Sequence, residues 1–469
     1  MQNTPTEQID ALVQAQRRFF RSGATHQLEF RRRMLKNLLF ALEKWEKPLA
    51  DALWTDLHKS YEEAYITELS IVKTEVKNHL RHLSGWARPT LKSTPIKMFP
   101  SVSRIACEPL GNALIIAPWN YPVQLLFNPL VGAISSGCTA LLKPSPYVPN
   151  VAKVMEQLIA DTFPSEYIGV AQGNRTVNQA LLEQRFDLIF FTGSPSLGRL
   201  VMEASSRYLT PVVLELGGKS PVIVDKDADI AVAAKRIAWG KTLNAGQTCI
   251  APDYLLIHES VKDAFVQAFA KAVRELHGQD AKQSAHYVRM VNDRAFARVS
   301  GYLGEGTILC GGRTDAAERY IEPTLLDMNL HLCAETAADR TAGKRVLQEE
   351  IFGPVLPILT FSEFNDMVNY ITGGEKPLAL YYFGKKKRGW QTIRRTSSGG
   401  ACLNDTIMHI ANENIPFGGV GNSGMGHYHG RESFLAFSHQ RSVVSTATWL
   451  DLPFRYMPYK LFGLVKQIL

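Results

Sequence analysis

"DLIFFTGSPSLGRLV", residues 187–201, is where the fold declares itself. A short apolar run ends in Gly193, a helix opens directly after it, and Gly198 follows five positions on. A buried strand that turns through glycine into a helix is the repeating joint of a parallel sheet covered on both faces. Backbone N–H groups at such a helix start attract a phosphate. The GxGxxG spacing is missing, however, and a glycine turn after a buried strand is common, so the stretch argues more for fold than for ligand.

The pattern recurs on both sides. Upstream lie "ALIIA" (113–117), "TALLK" (139–143) and "YIGVA" (167–171), and downstream lies "VVLEL" (212–216). Five such strands with helical crossovers predict a doubly wound, Rossmann-type half of an α/β protein. "LLKPS" places Lys143 at the carboxyl edge of that sheet, where a nucleotide ribose or phosphate would lie. A second α/β stretch follows, with strand candidates "YLLIHE" (254–259), "VLPILT" (355–360), "LALYYFG" (378–384) and "GGACLN" (399–404). Residues up to about 88 read as helix, with Leu35, Leu38, Leu39 and Leu42 at the spacing of one apolar face. Residues 91–111, with three prolines among β-branched residues, read as a hairpin off the main body.

Bulk properties narrow the function. The 469 residues exceed what one hydrophobic core usually fills, so two large domains are expected. With 45% hydrophobic and 20% charged residues the chain is an ordinary globular protein. Its 52 basic against 44 acidic residues give a mild excess, and no nucleic-acid module accompanies Arg31-Arg32-Arg33 or Lys385-Lys386-Lys387. A solvated basic surface is the reading, and no nucleic-acid partner is expected. The six cysteines include no CxxC pair, which predicts no metal site and a reduced, cytoplasmic setting. The first ten residues lack the apolar core of a signal peptide, and no apolar run reaches the roughly 18 residues of a spanning helix.

One thiol stands apart. A free cysteine is usually a small buried hydrophobe. Cys249 in "NAGQTCIAP" (244–252) instead follows Asn244, Gly246, Gln247 and Thr248, which allow close backbone approach and supply donors for a reactive thiolate. "VLELGGKSP" puts Glu215 at a strand end before two glycines, and "APWNYP" puts Asn120 between two prolines just beyond the first strand. A carboxylate, an amide and a thiol at strand ends of an α/β fold can meet in one crevice.

With these motifs in view, the chain resembles the aldehyde dehydrogenase superfamily, in its shorter class 3 branch. "PWNYP", "LLKPS", "FTGS", "LELGGKSP", "GQTCIAPDY", "EEIFGP" and "PFGGVGNSGMGHYHG" match in order between positions 118 and 430, and "LHKSYEEAYITELSIVKTEVKN" (57–78) is also class 3-like. The resemblance implies NAD(P)-dependent oxidation of an aldehyde, medium- to long-chain aliphatic or aromatic, to a carboxylic acid. It makes Cys249 the nucleophile, Asn120 with the Cys249 N–H the oxyanion donors, and Glu215 the base that activates water. Cofactor contacts would come from Gly193, Ser194 and Gly198 on the pyrophosphate side. Lys143 would meet the adenosine ribose, and Glu350 and Phe352 the nicotinamide ribose. From composition alone Glu350 reads as a surface carboxylate before a turn.

The resemblance also implies a homodimer. It divides the chain into a cofactor-binding domain (1–90 and 107–215), a catalytic domain (216–425), an oligomerisation element (91–106 and 426–446) and a C-terminal tail (447–469). Two other readings are a coenzyme-A-acylating enzyme, against which Glu215 argues, and a non-catalytic binder, against which the intact Cys249, Asn120, Glu215 and Glu350 argue. There are two departures from the family pattern. "KPSP" carries Pro146 where the family often has an acidic residue, which predicts that NADP is accepted besides NAD. "MNLHLCAETAADRTAGKR" (328–345) is longer than the family usually carries and reads as a surface loop. The tail "WLDLPFRYMPYKLFGLVKQIL" (449–469) mixes aromatic and basic residues, and its two prolines and short length favour packing on its own subunit over membrane contact.

Overall fold

The apolar runs form two parallel sheets. In the computed structural model all residues are described except Met1, 334–342, 454, 455, 460, 461, 464, 465 and 467–469. The first sheet runs from edge to edge as Gly424–Met425, Val212–Leu216, Leu188–Gly193, Asn112–Ile116, Thr139–Lys143 and Ile168–Val170. Its last five strands are parallel. Numbered by place in the chain they lie in the order 3-2-1-4-5, the Rossmann arrangement. Asn112–Ile116 and Thr139–Lys143 are buried at every residue, which is why these segments read as unbroken apolar runs. The order reverses between Asn112–Ile116 and Leu188–Gly193, the switch point outside whose carboxyl strand ends sheets of this kind bind their ligands.

The second sheet runs Thr307–Cys310, Thr324–Leu332, Val355–Phe361, Tyr254–His258, Pro221–Val224, Ala379–Phe383 and Gly400–Leu403. All its pairings are parallel except that of the first two strands. The hairpin Thr90–Lys92 and Ser101–Pro109 joins Ser438–Thr446 in a separate antiparallel sheet. Five helices and a π turn, from Thr6–Arg21 to Ser70–Ala87, precede it, and Leu35, Leu38 and Leu42 are fully buried.

Three features depart from the sequence pattern. Pro221–Val224 is a central strand that a four-residue run beginning with proline did not announce. Gly424–Met425 returns to the first sheet, antiparallel to Val212–Leu216. Residues 328–332, read as the start of a surface loop, complete the strand Thr324–Leu332, and Arg345 opens a short helix. Cys333 beyond that strand is half-buried. The rest of that segment, 334–342, lies outside the described residues, as does part of the tail. Among the described residues no helix is long and apolar enough to cross a membrane. No group of three His, Cys, Asp or Glu side chains among them could hold a metal ion.

Candidate active site

The loop that carries Cys249 is built on strained backbone. After the helix Ile230–Thr242, Asn244, Ala245 and Gly246 take φ values of 51°, 51° and 72°. Asparagine and glycine accept this left-handed region at low cost, but Ala245 does so only if its surroundings hold it. They do. The Asn244 N–H donates to the Glu63 carboxylate at 2.9 Å, and its side-chain amide donates to the carbonyls of Asn120 and Gln247, both at 3.0 Å. The Gln247 side chain donates to the carbonyls of Asn244 and Arg289 and accepts from the Val291 N–H. Gly246 admits no side chain, because a Cβ there would lie 2.4 Å from the Gly353 carbonyl oxygen. Strain of this kind collects at functional sites, where it fixes a reacting group.

The turn delivers Cys249 to a cavity of about 320 Å³. Glu215, at the end of its strand, reaches the same cavity, and so do Tyr121, Thr248 and Tyr428. Much of the remaining wall is apolar, including Ile66, Leu125, Trp239, Ile250, Met408 and Phe417. Burial raises the Cys249 thiol, with Glu350 and Glu215 adding to the effect, while the backbone N–H groups of Cys249 and Ile250 oppose it. Glu215 is 3% exposed, and both its carboxylate oxygens are buried without a hydrogen-bond partner among the described residues. Burial therefore holds its carboxyl well above the ordinary range. Asn120 donates through Nδ2 to the Gln247 carbonyl at 3.0 Å. An amide nitrogen carries two protons, so this bond leaves one over, but Asn120 is 2% exposed and is not among the residues that line the cavity.

Of the residues expected at the cofactor, Lys143 and Gly193 end strands of the first sheet and Ser194 follows directly. Ser194 caps the helix Pro195–Ser206 by accepting from the Leu197 N–H at 3.4 Å; Pro195 has no N–H and Gly198 donates to the Ser194 carbonyl, so the Ser196 N–H is the donor of that first turn left to meet an anion. Lys143 is 1% exposed, donates to the Pro144 carbonyl at 2.8 Å, and is brought down to about 8 by burial. Glu350 lies against Gly217, where a Cβ would meet its carboxylate at 2.1 Å. Burial, with Asp253 adding to it, raises the Glu350 carboxyl to about 8. Phe352 takes φ 48° and packs edge-on against Trp119, ring centres 5.5 Å apart. Gly198 is elsewhere, on the buried face of its helix, where a Cβ would meet Leu216 at 2.8 Å. Its lack of a side chain serves helix–strand packing. The helix start, the buried amine and the glycine cradle that seats a carboxylate fit a dinucleotide.

Several contributors escaped the sequence reading. Lys219 pairs with Asp253 and donates to the carbonyls of Val346 and Glu349, and Asp253 accepts from the Ile351 N–H at 2.8 Å, which fixes the segment carrying Glu350. Arg298 grips the carbonyls of Glu350 and Ile351. Glu75 accepts from the Gly430 N–H at 2.8 Å and from the Ser433 hydroxyl at 2.9 Å, holding the turn that presents Tyr428 and His429 to the cavity. The signal for Glu75 was its place in "LHKSYEEAYITELSIVKTEVKN" (57–78), matched without a role.

Comparison with known proteins shows the family. Residues 1–443 match the model of the "Aldehyde dehydrogenase family". A 4,4'-diaponeurosporen-aldehyde dehydrogenase of Staphylococcus aureus is 46% identical over 445 residues, 94% of this chain and 95% of that protein. A dimeric NADP-preferring aldehyde dehydrogenase of Canis lupus familiaris is 41% identical, over 96% of this chain and 98% of its own. The solved structure of the substrate-bound state of Staphylococcus aureus AldH superposes with a TM-score of 0.94 at 44% identity, covering 98% of this chain and 99% of that one. The chain belongs to the aldehyde dehydrogenase family, in its class 3-like branch, and carries out NAD(P)-dependent oxidation of aldehydes.

Proposed function

We propose that Cys249, Asn120 and Glu215 carry the oxidation, and that the substrate is a medium- to long-chain aliphatic or an aromatic aldehyde. The observation behind this reading is that Cys249 and Glu215 open onto one mainly apolar cavity. The Cys249 thiolate attacks the carbonyl carbon and forms a tetrahedral thiohemiacetal. Its oxyanion accepts from the free N–H of Asn120 and the backbone N–H of Cys249, each donor contributing about 3–4 kcal/mol in comparable sites. NAD(P), when bound, would supply the hydride acceptor, and loss of hydride from the thiohemiacetal leaves a thioester on Cys249. Glu215 then removes a proton from water as it attacks the thioester, and the carboxylic acid departs. A carboxyl with no hydrogen-bond partner and a raised proton affinity suits that task.

For the cofactor, Ser194 with the first turn of its helix would hold the pyrophosphate, next to Gly193. Lys143 would meet the adenosine ribose, and Glu350 and Phe352 the nicotinamide ribose. Gly198 acts indirectly, by letting the helix approach the sheet. Pro146 leaves no carboxylate to repel a 2′-phosphate, and the NADP preference in the dog relative's name supports acceptance of NADP. The word dimeric in the same name supports a homodimer; the separate sheet of 90–109 and 438–446 would form its interface, and the lack of paired cysteine motifs suits a reduced, cytoplasmic setting. The test is formation of reduced cofactor with aldehydes of increasing chain length and with benzaldehydes, without coenzyme A. The expected result is kcat/KM rising with apolar size; turnover confined to small polar aldehydes would contradict it.

A further inference from the structure

The mechanism above leaves out a fully buried ion pair in the N-terminal segment. Lys59 and Glu68 are both 0% exposed and meet at 2.6 Å. Side chains of these types are almost never fully buried unless paired. His58, with φ 58°, ends the helix Glu46–Leu57 and turns Lys59 inward, while Glu68 sits in the π turn Tyr65–Leu69. Such turns recur at functional sites.

The pair grips the link between the first strand and the helix Pro122–Ser136. Lys59 donates a second hydrogen bond to the backbone carbonyl of Asn120 at 3.0 Å, and its ammonium lies 4.3 Å from the centre of the Tyr121 ring. The other Glu68 oxygen accepts from the N–H groups of Val123 at 2.8 Å and Gln124 at 3.4 Å, at the positive end of that helix. The carbonyl that Lys59 holds also accepts from Asn244, the first left-handed residue of the nucleophile loop. The ion pair thus fixes the backbone from which the Asn120 amide projects, in register with the loop that carries Cys249. Stability alone does not explain it, because well-packed apolar residues often replace a buried ion pair without loss.

We propose that Lys59, through its pair with Glu68, is a positioning residue that aims the Asn120 amide at the oxyanion formed on Cys249. This rests on the reading of Asn120 as an oxyanion donor. A donor misplaced by an ångström loses much of its effect on the transition state.

A double-mutant cycle read by single-turnover formation of reduced cofactor tests it. Asn120→Ala should slow that step by about 100- to 1000-fold. Lys59→Met, which keeps an unbranched stem, should slow it by about tenfold or more, with the Kd for NADP unchanged. In the double variant Lys59→Met should add less than about threefold, because its effect has already been lost with the amide. Full multiplication of the two losses would overturn the proposal, and so would a normal rate in Lys59→Met. A normal rate in Asn120→Ala would instead remove the reading of Asn120, and the proposal with it. If Lys59→Met does not fold, isosteric Glu68→Gln serves in the same cycle, with the same non-additivity expected and multiplication of its loss with that of Asn120→Ala overturning the proposal.

Discussion

Glu215 and Cys249 share the wall of one cavity, and charge on the carboxylate raises the proton affinity of the thiol. Glu215→Gln keeps the shape and removes both the base and this charge. Hydrolysis of the thioester should slow by about 100-fold or more, while a single-turnover burst of reduced cofactor survives. At alkaline pH, where Glu215 is charged, the thiol should also react faster with iodoacetamide, since one of the charges that raise its pKa, after burial and Glu350, is gone. Normal steady-state turnover in this variant would take Glu215 out of the mechanism.

The raised carboxyl of Glu215 sets a pH dependence. It accepts a proton from water only when ionised, so kcat limited by hydrolysis should rise toward alkaline pH and level off once Glu215 is charged. In Glu215→Gln the slow residual hydrolysis should lose that rising limb. A pH–kcat profile of the two proteins checks this, and identical limbs would assign the ionisation to another group.

Glu63 makes a stability prediction of definite sign. Burial raises its carboxyl to about 7, above its unfolded value, so its contribution is fully present below the unfolded pKa and is lost as pH rises through about 7. Glu63→Gln still accepts from the Asn244 N–H but has no charge to bury. Its Tm relative to the parent should therefore be higher at pH 8.5 than at pH 5, by the equivalent of up to about 3 kcal/mol. Melting curves at both values decide; a pH-independent difference would contradict the assignment.

The parallel sheets were legible in the sequence, and two residues singled out there, Cys249 and Glu215, line one cavity. The strands of the first sheet are buried on both faces, so their apolar runs are unbroken, and Thr139–Lys143 and Val212–Leu216 were read to the residue. Short Pro221–Val224 and the two-residue Gly424–Met425 carry too little pattern to stand out, although each extends a sheet. Cys249, Glu215 and Asn120 drew attention because small and polar residues interrupt apolar runs around them. Lys59, Glu68 and Glu75 were not, because a charged residue in a helical stretch looks like a solvated face. Their partners at 120–124 and 430–433 are distant in the chain, and only folding brings them together. Gly198 was legible as a required glycine, but its reason, contact with Leu216, belongs to packing.

Pro146 predicts cofactor choice. An acidic residue there would bond the 2′-hydroxyl of NAD and repel the phosphate of NADP, together roughly 1–3 kcal/mol. Proline does neither, so kcat/KM with NADP should lie within about tenfold of that with NAD, or exceed it. Pro146→Glu should depress use of NADP selectively. A preference for NAD above about a hundredfold in the parent would place another acidic group at that position.

The central claim is a covalent thioester on Cys249, and the mass of the Glu215→Gln protein tests it most directly. After mixing with NADP and an apolar aldehyde, the intact protein should gain the mass of the aldehyde less two hydrogens, and the gain should map to the peptide containing Cys249. Reduced cofactor accumulating with no adduct, or with the adduct on another residue, would contradict the account.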